Sequence, residues 1–455
     1  MSRITLGARI LAGAIVSVAA VGAVVTLRTL PIPELTQVAP VIEVTPEAAR
    51  TLLACDGQIL ALGRDADDAS ALTVTNGPGV VTGNSAGDAA ESADKPVTGI
   101  DGASWPLVWQ DPDGTTPVAV AAAGSVTMTD DDLSGFAAST CLPGAMESWI
   151  VGGDTTTGST GILRIANPTQ VTATVSISVF GASGEQSAAG GSAIAVPGET
   201  EVVLPLAGLV GGEESPVLRI TATGAPVRTT LQSSMVRTLT PTGVDLQSAV
   251  AADRTQVIGG VTVVDTDSVT GQLRLLSTTA GTATVTITAA GSATPVRDPE
   301  TVPLEAGVPV AVQLDGLTAG TYAVRVDADD PLVAGVYQAT GMGEGSDYAW
   351  YPSTQQITGT ALAAVPNGPG GAFSFVNSSD ADATVTLTAP DGTATDVAVP
   401  AGGYVSSPVF GGPGVYTVDV DGAVNAAVTY SGDGALAAIP VIPDSAASTP
   451  VTVHP

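Results

Sequence analysis

The chain has 455 residues, 44% of them apolar and only 13% charged, with 54 Gly and 32 Pro. That length allows roughly two to four domains, and abundant turn formers beside few aromatics favour many short strands over helices. A net charge of −30, with Lys95 the only lysine, repels phosphate backbones and excludes nucleic acid as an expected partner.

In chain order, Arg3 and Arg9 precede residues 10–27, "ILAGAIVSVAAVGAVVTL", an uncharged run that ends before Arg28. As a helix it would be about 27 Å long at roughly 1.5 Å per residue, near the hydrocarbon thickness of a bilayer. A transmembrane signal-anchor is therefore expected, with 1–9 as a cytoplasmic tail and the rest of the chain outside. A cleaved signal peptide is the alternative, which would leave the chain secreted. Residues 28–40, with Pro31, Pro33 and Pro40, read as an extended stalk.

Residues 41–140 form a less regular β region. Strands are expected in 49–63 and 116–128, and a long Gly/Asp/Ser-rich loop over 74–96. The two cysteines, Cys55 and Cys141, both follow the membrane segment, so a disulfide is expected between them. Closing so long a loop is worth about 4–5 kcal/mol in the chain-entropy account.

Then the sequence repeats itself. "ATVSIS" at 173–178 returns as "ATVTIT" at 283–288 and "ATVTLT" at 383–388. Ala and the aliphatic residues alternate with hydroxyls in each, the period of a half-buried strand. The flanks repeat in the same order. Upstream are "GILRIANP", "GQLRLLST" and "GAFSFVNS"; downstream are "VPGETEVVLPL", "LEAGVPVAVQL" and "VPAGGYVSSPV". Each copy closes with paired strands, and "ADDP" (328–331) and "DGA" (421–423) are expected to be hairpin turns. Each copy thus predicts a small immunoglobulin-like β-sandwich, over 141–249, 250–346 and 347–446, followed by a tail at 447–455. The fold class expected is all-β: tandem sandwich modules in a rod behind an N-terminal transmembrane helix.

Residues 139–185, "STCLPGAMESWIVGGDTTTGSTGILRIANPTQVTATVSISVFGASGE", carry a resemblance. A Cys-Pro-type turn, an aromatic strand running into Val-Gly-Gly, a Leu-Arg-Ile-Ala-Asn-Pro strand end and an Ala-Thr-Val strand follow in that order. This resembles an uncharacterised actinobacterial family of secreted or membrane-anchored proteins, a domain of unknown function, over about 41–446. The chain departs from it in having "CLP" where Cys-Pro is expected. The resemblance implies export and a β-rich envelope protein, and brings no catalytic residues with it.

Candidate chemistry is sparse. "GNSAG" (83–87) matches a nucleophile elbow at Ser85, but that motif needs a strand–turn–helix and a histidine. The one histidine is His454, at the chain end. One histidine and two cysteines also rule out His-based zinc sites and thiolate clusters. Acidic groups at 65–68, 130–132, 327–330 and 419–422 could hold calcium if they lie in loops, though turn chemistry explains them as well. No cofactor is expected otherwise. Five aromatics, Trp105, Trp109, Tyr348, Trp350 and Tyr351, are candidate glycan or partner contacts if exposed, and packing groups if buried. The function expected is non-enzymatic: a structural, scaffolding or protein-binding role in the cell envelope. The alternative is an envelope polysaccharide-binding protein that assists glycan assembly or export. Expected partners are envelope proteins or polysaccharide, and the membrane through the N-terminal helix.

Overall fold

A computed structural model describes residues 12–19, 21–22, 42–44, 49–114, 116–264, 271–444 and 451–453. The 28–40 stalk, His454 and much of the expected 10–27 span lie outside the described residues. Residues 12–19 and 21–22 are helical and exposed, and among the described residues no helix is long and apolar enough to cross a membrane. The chain divides into two compact units, 1–46 with 449–455, and 47–448. In the first, Ile42–Val44 pairs antiparallel with Val451–Val453. The second holds both cysteines and all three repeats.

This second unit is all-β, with its sheets curled into half-barrels. The alternation seen in the sequence sets the faces. Ala173, Val175, Ile177 and Val179 are buried, as are Ala283, Val285 and Ile287, and Ala383, Val385 and Leu387. The intervening Thr and Ser side chains point the other way, as a period of two dictates.

Modules 2 and 3 share one strand order. In module 2 it runs 300–304, 281–289, 320–339, 272–277, 310–313, and in module 3 it runs 394–399, 383–388, 414–432, 372–376, 404–408. In each, one long strand, Gly320–Ala339 or Gly414–Gly432, serves both layers: its first half pairs in one, its second half in the other. The expected hairpins at 328–331 and 421–423 therefore do not form. The chain passes straight through them, and pairing to the preceding strand shifts register there, between Thr255 and Asp253 opposite Asp327 and Leu332, and between Gly359 and Ile357 opposite Val420 and Val424. Turn-forming residues that cannot extend a ladder can also make a bulge, which bends a strand without reversing it. Module 1 breaks the long strand instead, into Val217–Thr223 and Arg228–Arg237 around Pro226, and its two layers become separate sheets. Pro supplies no N–H to a ladder.

The N-terminal region is more ordered than its composition predicts. The stretch expected as a long loop carries Gly79–Asn84 and Glu91–Pro96, each an edge strand of a three-stranded sheet. Pairing with Val120–Thr129 and Ser104–Gln110 satisfies their backbones, a long-range effect that local composition does not report.

The copies are not strung end to end. Tyr348–Pro352 pairs with Gly320–Ala339 and so closes module 2. Ser134–Thr140, Thr240–Ser248, Tyr348–Pro352 and Ala435–Pro440 are the last strands of the N-terminal region and of modules 1, 2 and 3. They pack on one another in a closed cycle: the N-terminal region on module 1, module 1 on 2, module 2 on 3, and module 3 on the N-terminal region. Cores merge across the seams. Phe136 and Ala138 join the module 3 core, Leu436 and Ala438 join module 2, and Leu276 and Val333 of module 2 pack with Trp149 and Phe180 of module 1.

Candidate functional site: a polar cavity at the module junctions

Each of the four hub strands is followed by a connector, and the connectors converge. Leu142, Ala249, Val250, Thr354, Gln355 and Ile442 line one cavity of about 600 Å³. A smaller one of about 200 Å³ shares Leu142, Val250, Gln355 and Ile442 with it. The polar side of the larger cavity is held rigidly. Arg325 donates from Nε and Nη2 to Asp327 Oδ1 at 3.1 and 2.9 Å and from Nη1 to the Ser378 carbonyl at 3.2 Å. Gln256 Nε2 donates to the carbonyls of Ala251 and Leu332, at 3.1 and 2.8 Å, and Asn425 Nδ2 to that of Thr354 at 2.7 Å. The Ser378 hydroxyl is buried at the wall without a protein partner. Val257, Pro440 and Ile442 supply an apolar side. Such a lining recognises a polar ligand or an extended segment of chain by hydrogen bonds.

Two buried polar arrangements join the modules. Asp56, next to Cys55, accepts from both terminal nitrogens of Arg228 at 2.7 and 2.6 Å and from Thr230 Oγ1 at 2.7 Å. Arg164 lies 4.0 Å from Asp56 and forks onto Glu201 at 3.1 and 2.8 Å, while its Nη1 reaches the Gln58 carbonyl at 2.7 Å. Two acids and two arginines balance, all buried. Burial works against ionisation of Asp56, but the Arg228 charge and hydrogen bond, then Arg164, hold its carboxyl well below the usual carboxylate range.

The second arrangement is the hub itself. Asp347 Oδ2 accepts the backbone N–H groups of Phe136 at 2.9 Å and Leu436 at 3.2 Å, and its Oδ1 that of Val244 at 3.3 Å. One carboxyl, next to the last strand of module 2, thereby ties in the N-terminal region, module 1 and module 3. Asp245 adds a second tie between modules 1 and 2, with Oδ2 accepting the Trp350 N–H at 2.9 Å. Gly135 and Gly243 have φ of 139° and 137°, and a Cβ on either would stand 2.6 or 2.8 Å from Asp347 Oδ1. Burial pushes Asp347 up to about 8 and Asp245 up to about 7, against the backbone hydrogen bonds that favour the anion.

Most residues singled out in the sequence are buried. Cys55 and Cys141 form the expected disulfide. Trp105 is fully buried against Ile162 and Ala166 of module 1. Tyr351 is fully buried, its hydroxyl accepting from the Thr262 N–H at 3.4 Å. Tyr348 is buried and donates to Ser233 Oγ at 2.9 Å. Trp350 is buried with the Arg274 guanidinium 4.5 Å from its ring centroid. Only Trp109 is half-exposed, with Arg50 5.9 Å from its ring. Four of the five are thus buried, and none lines the junction cavity.

Ser85 sits in a strand-to-strand turn whose backbone is capped by Asn84, not at a strand-to-helix elbow. The acidic groups 327–330 and 419–422, expected in loops, lie within the two long strands. Asp130 and Asp132 pair with Arg64, and Asp65 accepts the N–H groups of Asp67 and Asp68. Among the described residues no group of three or more potential metal ligands gathers.

Sequence reasoning missed Asp245, Asp347, Arg325 and the Asp56–Arg228 pair. One signal was legible: Arg164 and Arg274 hold the same place in their repeats, on an otherwise apolar strand.

Strand order, repeat and hub define a class of all-β protein built from recurrent half-barrel modules. Residues 96–403 match the model of a family of unknown function, DUF5719, and the chain belongs to that family. The match runs from the N-terminal region into module 3, so that region and all three modules contribute to it. No curated protein and no solved structure matches the chain.

Proposed function

We propose that this is a non-enzymatic, exported cell-envelope protein that scaffolds or binds protein partners through its tandem, immunoglobulin-like β modules. The observation that carries the reading is the junction cavity. Connectors of every module build it, and its rigid donors and acceptors suit recognition rather than turnover. The disulfide and the acidic surface fit a location outside the cytoplasm. The N-terminal apolar run would tether the chain to the membrane.

The test is a pull-down of envelope proteins and polysaccharides by the full chain, compared with a Gln355→Arg variant that fills the cavity mouth. Protein partners lost in the variant support the proposal. Turnover of any bound component, or partners unaffected by the variant, would sink it.

One observation favours the second reading, an envelope polysaccharide-binding protein. Tyr348 and Trp350, buried as they are, contribute to the lining of a separate cleft between modules 1 and 2.

A further inference from the structure

That cleft encloses about 190 Å³, and its floor is the outer face of module 2. Strand register lays out the floor. Gln313 stands opposite Gln272, Gln272 opposite Tyr337, and Tyr337 opposite Trp350, so four neighbouring strands place two amides and two aromatics in one line. The next line on the same face is Ala311, Arg274, Gly335 and Pro352. Val151 of module 1 packs over Gly335, and Arg274 itself is buried. Tyr337 is half-buried, with its ring centroid 5.5 Å from those of both Tyr348 and Trp350.

Arg274 differs from its counterpart Arg164. It meets no carboxylate at ion-pair distance. Instead the carbonyls of Val151, Gly153 and Pro216 of module 1 hold its Nη1 at 3.1, 3.0 and 3.1 Å, and its buried Nε–H has no partner. The facing wall includes Asp154, Glu214, Ser215, Ser234 and the exposed Arg237. Two cations and two anions leave the cleft close to neutral.

A pyranose ring has an apolar C–H face and a rim of vicinal hydroxyls. An aromatic ring suits the face, and planar amide, guanidinium and carboxylate groups suit the hydroxyl pairs, because each offers two polar atoms at hydroxyl spacing. The cleft supplies both on rigid strands, and its balanced charge selects against acidic sugars. We propose that this cleft binds a neutral pyranose unit of a polysaccharide, with Tyr337 under the ring and Gln272 and Gln313 on its hydroxyls. The proposal rests on the polysaccharide-binding reading.

The experiment is surface plasmon resonance of the full chain over immobilised neutral hexose polysaccharide and, separately, a uronic-acid polysaccharide. Tyr337→Ala and the double variant Gln272→Ala/Gln313→Ala are compared with the parent. Tyr337 packs on two aromatics, so the double variant, at one half-buried and one exposed glutamine outside that aromatic cluster, guards against a folding artefact. Binding to the neutral polymer is expected, falling about tenfold or more in each variant with the double variant's melting temperature unchanged. Neutral-polymer binding untouched by either change would overturn the cleft and leave the polysaccharide reading standing. Binding only to the uronic-acid polymer would overturn the ligand class. Binding to neither would remove both.

Discussion

Asn377 begins a sequon, "NSS", yet its side chain is consumed by the fold. Nδ2 donates to the carbonyls of Ala381 and Val399 at 2.8 and 3.1 Å, and Oδ1 accepts from the N–H and hydroxyl of Ser379 at 2.9 and 2.6 Å. Asn167 in module 1 makes the same four bonds, to Val171, Val196 and Thr169. The residue is a buried clasp that turns the chain into the repeated strand. Asn377→Ala removes the side-chain donor to the carbonyl of buried Val399 and the acceptor for Ser379, and should lower stability by about 1–3 kcal/mol, read by urea denaturation. At the hub, Asp347 and Asp245 carry raised values, about 8 and about 7, above the ~4 of an unfolded carboxyl. The folded state therefore holds more protons between these limits. Their contribution is complete below about pH 4 and is lost as pH rises through 7 to 8. Asp56 has the opposite sign: its contribution is present above the unfolded value and lost as pH falls below it. Asp347→Asn should flatten the decline in stability from about pH 4 to about pH 8 by up to about 1.4 kcal/mol per pH unit. An unchanged slope in denaturation curves would count against protonation at the hub.

Elements are joined by devices that composition conceals. The disulfide links the ends of the N-terminal region's two three-stranded sheets, and the Asp56–Arg228–Arg164–Glu201 group fastens that region to module 1. Removing the bridge with Cys55→Ser/Cys141→Ser should cost about 2–4 kcal/mol, seen as an earlier denaturant midpoint that reduction of the parent reproduces. The charge group behaves differently. Arg164→Met alone leaves Glu201 buried and unpaired, at a cost of about 3–5 kcal/mol, whereas Arg164→Met with Glu201→Leu should recover most of that loss. A double variant no better than the single would show that packing, not the orphaned charge, sets the cost.

For the unit 47–448 as a whole, merged cores and the shared Asp347 predict one cooperative transition, not module-by-module unfolding. Tryptophan fluorescence reports Trp105, Trp109, Trp149 and Trp350, and circular dichroism reports all strands. The two melts should coincide. A separate early transition in either would mean that the modules stand alone, as independent sandwiches in a rod would.

The sequence by itself settled the all-β class, the threefold repeat, the faces of the repeated strands and the disulfide, because alternation and cysteine pairing are local or counting properties. It misread 328–331 and 421–423 as turns, since the same residues serve a hairpin and a bulge and only the partner strand chooses between them. It read 74–96 as loop, because edge strands draw their order from distant neighbours. The aromatics were visible, but not their burial. The junction cavity and the carboxyl hub were invisible for a physical reason. Each draws on residues from several successive modules about 90 to 110 positions apart, and the ring, not any stretch of chain, brings them to one point.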